Sequence, residues 1–129
     1  MHQRLGLITL LVRDYDEALA YYTEQLGFEA VEDSDLGGGK RWVVVRPPGA
    51  TETCLLLARA ATPDQASHIG AQGGGRVFLF LYSDDFQRDH RRLKSRGVRF
   101  LETPREEPYG TVAVFEDLYG NRWDLLQPA

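Results

Sequence analysis

The chain repeats itself once. Residues 7–12, Leu-Ile-Thr-Leu-Leu-Val, form an apolar run too short for a helix and rich in strand formers, which reads as a buried strand. Asp14 followed three residues later by Glu17 is a capping-box pattern that opens a helix. Leu19, Tyr22 and Leu26 share one helical face, and Gly27 can take the left-handed conformation of a helix end, so the helix stops at about Leu26. Strands are predicted at 28–32, 41–46 and 53–58, divided by Gly37-Gly38-Gly39 and Pro47-Pro48-Gly49. Adding 70 to each number recovers the pattern. Val77 to Tyr82 is apolar, Asp84 precedes Gln87 by three, and Gly97 stands where Gly27 stood. Arg41 to Val45 becomes Thr111 to Phe115, and Cys54 to Leu57 becomes Asp124 to Gln127, without a gap. The buried stripe Phe86, His90, Leu93 fits the first helix better at an offset of 71, which leaves the register before Gly97 open by one.

Two repeats are too few for a solenoid, so they are expected to bury each other. The fold class is α+β: tandem βαβββ modules at 5–58 and 76–128, joined by a flexible connector, 59–75, that holds Pro63 and Gly73-Gly74-Gly75. At 129 residues and 43% hydrophobic content, the expectation is one domain spanning 1–129. No window approaches the roughly 20 apolar residues of a membrane span. Met1-His2-Gln3-Arg4 does not open a secretory signal, and a cytoplasmic location with no membrane partner is expected. The single cysteine, Cys54, permits no intrachain disulfide and no cysteine metal cluster. A formal charge of -4 offers nucleic acid no general attraction, and Arg88, Arg91, Arg92, Lys94 and Arg96 read as a solvated helix face.

Two segments carry a family likeness. Val12-Arg13-Asp14-Tyr15-Asp16-Glu17-Ala18-Leu19-Ala20-Tyr21-Tyr22, leading to Leu26-Gly27-Phe28, resembles the opening of a vicinal oxygen chelate protein, the group of glyoxalases, bleomycin-resistance proteins and extradiol dioxygenases. Pro108-Tyr109-Gly110, followed by Phe115-Glu116-Asp117-Leu118-Tyr119-Gly120-Asn121-Arg122-Trp123-Asp124-Leu125, is similar to the closing segment of that family, with Leu118 and Tyr119 in place of its usual Pro and Asp. The resemblance implies a concave cleft in which metal-dependent members place one ligand on the first and last strand of each module. Those positions here are Leu7, Cys54, Val77 (or Phe78 at the shifted register) and Asp124. Leucine, valine and phenylalanine offer no lone pair, so a metal site is not expected, and a divalent cation is the alternative only. His2, His68 and His90 lack the spacing of a histidine metal motif, and His90 on an apolar stripe reads as a core histidine.

Residues two apart on a strand share a face, which adds Thr9 and Leu11 to Leu7, and Glu52, Leu56 and Ala58 to Cys54. Arg122 and Leu126 join Asp124, and the fifth strand contributes Leu79 and Leu81, or Phe80 and Tyr82. The residues expected to bind a ligand are Leu7, Thr9, Cys54, Leu56, Phe78, Phe80, Tyr109 and Asp124, a mostly apolar set with few polar groups. Cys54 reads as a small buried hydrophobe, and Trp42, Tyr109 and Trp123 as candidates to line or cover the ligand. Asp124 is the candidate catalytic residue: a carboxylate among aliphatic neighbours should have a raised pKa and could act as a base or meet a cationic ligand, unless Arg122 or Arg41 pairs with it. The function expected is metal-independent small-molecule binding of the bleomycin-resistance type, as a homodimer. The alternative is a glyoxalase-like lyase or isomerase, or an extradiol dioxygenase-type enzyme, working through Asp124. Specificity would rest on the loops at 34–40 and 103–110.

Overall fold

The computed structural model describes all residues, 1–129, and divides into two compact units, Met1–Ile69 and Gly70–Ala129. The first unit begins with β1 (Leu7–Val12), then α1 (Tyr15–Ala20), which runs on as a π-helical turn, Tyr21–Gln25. Asp14 caps α1 by accepting the backbone N–H of Glu17 at 2.8 Å, as the local pattern predicts. β2 (Glu29–Gly37), β3 (Lys40–Arg46) and β4 (Cys54–Arg59) complete a four-stranded sheet of order β1-β4-β3-β2. Alternation sends Leu10, Val12, Val43, Val45, Leu55 and Leu57 to one face, where Tyr15, Ala18 and Tyr22 of the helical segment cover the sheet. Each such aliphatic side chain contributes roughly 1.5–3 kcal/mol by leaving water.

The strand placed at 28–32 runs on to Gly37, because Asp33 and Asp35 pair with Val43 and Arg41 across the hairpin, and the loop shrinks to its glycines. The connector is not structureless either: Thr62 caps α2 (Pro63–Ser67), with proline where its missing N–H costs nothing.

The second unit holds β5 (Val77–Tyr82), α3 (Phe86–Ser95), β6 (Arg99–Phe100), β7 (Arg105–Glu107), β8 (Gly110–Glu116) and β9 (Arg122–Pro128). Its sheet has the order β5-β9-β8-β6, with β7 also on β8. The long β2 of the first unit has become two short strands, and the loop expected at 103–110 contains one of them. Asp85, not Asp84, caps α3, accepting the Arg88 N–H at 3.1 Å, which fixes the offset there at 71. Under α3 a line of rings runs from Phe86 through His90, Phe100 and Phe115 to Trp123, with centroids 4.4–5.7 Å apart. His90 is part of this packing, and burial, with Lys94 nearby, lowers its pKa.

The unusual turn at Leu118-Tyr119 is held from its flanks. Asp117 Oδ1 accepts the N–H groups of Tyr119, Gly120 and Asn121 at 2.9–3.1 Å, and Oδ2 accepts from Asn121 Nδ2 and Trp123 Nε1. Gly120 supplies the positive φ, +100°. The turn therefore needs neither the proline nor the second aspartate.

Candidate functional site

Strand register decides which side chains stand together. In the first unit Leu7 pairs with Cys54 and Thr9 with Leu56 in parallel strands, on the face turned away from α1. Leu7 and Thr9 are exposed, Cys54 and Leu56 half-buried. In the second unit Phe80 pairs with Asp124 and Tyr82 with Leu126. The open register is thus settled in favour of Phe78, Phe80 and Tyr82, with Leu79 and Leu81 beside the core residues Trp123 and Leu125. Phe78 itself sits at an irregularity between Val77 and Leu79.

The same pairing corrects the gapless repeat. Val44 faces Leu56 in the first sheet, and Val114 faces Asp124 in the second. The counterpart of Asp124 is therefore Leu56, not Cys54. The discrepancy arises in the turn: residues 47–53 separate β3 from β4, whereas only 117–121 separate β8 from β9. Because the difference is two residues, each side chain stays on its expected face. With Leu56 in that role the metal-ligand positions read Leu7, Leu56, Phe78 and Asp124, which supply one donor side chain; these residues do not fit a metal ion. No group of three His, Cys, Asp or Glu side chains stands close enough to hold one elsewhere.

Asp124 is 6% exposed, and its Oδ1 is buried without a hydrogen-bond partner. Neither arginine considered as an ion-pair partner is engaged with it: Arg122 donates to the Gly75 carbonyl, and Arg41 holds Asp16 and Asp33. Burial pushes the Asp124 carboxyl above its ordinary value; Arg105 pulls it back, and Glu102 adds to the rise. Glu102 and Arg105 were not expected from sequence. Glu102 Oε2 accepts the N–H of Val114, the β8 partner of Asp124, and both Glu102 oxygens accept from Arg105 Nε at 3.0–3.1 Å. Arg105 also binds Glu107 at 2.9 Å and engages Tyr109, whose ring is half exposed. Phe80 and Tyr82, 58% and 69% exposed, form an aromatic surface beside Asp124 and Leu126.

Of the expected ligand-binding residues, Leu7, Thr9, Cys54 and Leu56 come together on one sheet, and Phe80 and Asp124 on the other, with Tyr109 linked to the latter through Arg105. Trp123 is excluded from any lining role: it is 3% exposed and stacks on Phe115 on the opposite side of β9 from Asp124. Trp42 is half-buried in β3 and His68 lies exposed after α2. No helix is long and apolar enough to cross a membrane.

Comparison with known proteins gives concordant results. The family model of the Glyoxalase/Bleomycin resistance protein/Dioxygenase superfamily matches residues 4–125. An uncharacterised protein of Shewanella frigidimarina (strain NCIMB 400) is 56% identical over 128 residues, 98% of this chain and 95% of that protein. The crystal structure of UcmS2 superposes with a TM-score of 0.84 at 33% identity, covering 98% of each chain. That of TnmS3, described as an antibiotic binding protein from Streptomyces sp. CB03234, gives 0.82 at 33% identity, covering 99% of this chain and 98% of that one.

Proposed function

The chain belongs to the Glyoxalase/Bleomycin resistance protein/Dioxygenase superfamily, and on that premise we propose that it binds a small organic molecule without a metal and holds it rather than transforming it. The observation that carries this reading is the donor set: Asp124 is the sole metal-capable side chain among the four equivalent positions, and its neighbours on the sheet face are Phe80, Tyr82 and Leu126. Aromatic and aliphatic walls around an isolated polar group suit an organic ligand, whereas a Lewis-acid centre needs three or four ligands. The similarity to an antibiotic-binding protein supports the same reading. A homodimer belongs to the proposal; β2 is an edge strand with all nine residues exposed, Val31 and Leu36 among them, an arrangement that association would protect.

Elemental analysis of purified protein, together with a thermal-shift screen of divalent metals and a panel of antibiotics, tests the reading. Stabilisation by an organic compound and by no metal is the expected result. Stoichiometric bound Fe, Mn, Ni or Zn would overturn it. Sedimentation analysis reads the oligomeric state, and a monomer at all concentrations refutes that part.

A further inference from the structure

We infer that the face formed by Asp124, Phe80 and Tyr82 selects a positively charged nitrogen attached to an aromatic ring system, with the Asp124 carboxylate as its anchor; this rests on the small-molecule reading above. A buried carboxylate oxygen without a donor is costly, and such groups in folded proteins nearly always have partners. The nearby cation does not supply one. Arg105 is bound by Glu102 and Glu107, and Tyr109 takes a further donor. Asp124, Glu102 and Glu107 set against Arg105 leave a formal excess of two negative charges in the cluster. A neutral ligand could fill the apolar surface but would leave the charge uncompensated.

The aromatic part of the inference comes from Phe80, which is Asp124's own register partner on the parallel strand and is more than half exposed. A cation held at the carboxylate would lie within reach of a ring face, a geometry in which desolvated cations gain from the ring's quadrupole. Tyr82, the next residue on that face, extends the surface along the strand. Burial of Asp124 above its ordinary pKa is the same unmet demand seen from the proton's side.

The test uses 9-aminoacridine, a planar cation at neutral pH, and acridine, its largely uncharged counterpart, titrated by fluorescence at about pH 8 against the intact protein, Asp124→Asn, and Phe80→Ala. A charge-assisted hydrogen bond predicts a preference of between about tenfold and a hundredfold for the cation. Asp124→Asn should abolish that preference, bringing the two affinities together, and Phe80→Ala should weaken both probes together. Circular dichroism of each variant verifies folding. A preference that survives Asp124→Asn would assign the cation to another acidic surface, such as β2, and overturn the inference. Equal affinities for the two probes would overturn it while leaving small-molecule binding intact. Failure of both probes to bind would also overturn it, and the antibiotic panel then decides the broader reading separately.

Discussion

Replacing Asp124 with leucine should stabilise the protein and deprive it of its ligand's anchor. The perturbation returns to the second sheet the residue its counterpart, Leu56, already has in the first. Two contributions point the same way. Removing a buried oxygen that has no partner relieves about 1–3 kcal/mol, and the leucine adds apolar burial next to Leu126 and Val112. For a chain of this length each kcal/mol moves Tm by roughly 3–5 °C, so a gain of about 1–3 kcal/mol gives an expected rise of about 3–15 °C near pH 8. The sign with pH follows from linkage. The Asp124 carboxyl is held above 3.8, so the native state keeps its proton longer than the unfolded chain. Wild-type stability is therefore full below that value and falls as pH rises through the elevated pKa, while the leucine variant lacks this loss. The gap in Tm between variant and wild type should widen from about pH 4 to about pH 8, read by differential scanning calorimetry with reversibility confirmed by rescanning. A variant that melts below wild type near pH 8, or a gap that is constant with pH, would show that the buried Asp124 carboxyl carries no such penalty.

Other substitutions test the scaffold around the site. Asp117→Ala removes the side-chain acceptor of five donors, of which the Gly120 N–H keeps another, the Asp117 carbonyl, and should cost about 3 kcal/mol or more in urea denaturation. Gly110→Ala should cost roughly 2–3 kcal/mol, because φ is +150° and a Cβ there would overlap the Gln127 carbonyl oxygen of β9. Asp85→Ala should lose about 1 kcal/mol as a helix cap, whereas Asp84→Ala, which removes only an exposed ion pair with Arg88, should stay within about 0.5 kcal/mol of wild type. Equal losses at 84 and 85 would contradict the cap assignment.

What the sequence disclosed was local. The Asp14 cap, the helix end at Gly27 and the alternation of β1, β3 and β4 are written in neighbouring residues and are found where the patterns place them. Register between strands is not local. The repeat runs without a gap in the letters, yet the shorter turn at 117–121 makes Leu56 rather than Cys54 the mate of Asp124, a fact visible only in the pairing. The role of Trp123 is legible in the sequence too, since consecutive strand residues point to opposite faces and a site-facing Asp124 puts Trp123 in the core. Thr62-Pro63 likewise carries a cap and first-turn signal for α2. Glu102 and Arg105 were hidden because their importance lies in a hydrogen bond to Val114 and a charge near Asp124, both set by tertiary folding.

The two tryptophans fall one to each unit, Trp42 half-buried on β3 and Trp123 sealed in the stack beneath α3. Each duplicated half thus carries its own fluorophore. In Trp42→Phe the emission reports the second half alone, and in Trp123→Phe the first, so a single-wavelength melt of each variant times the loss of one half. Coincident transitions would mean that duplication produced a single cooperative body, and separated ones that it left two ancestral folding units with distinct fates.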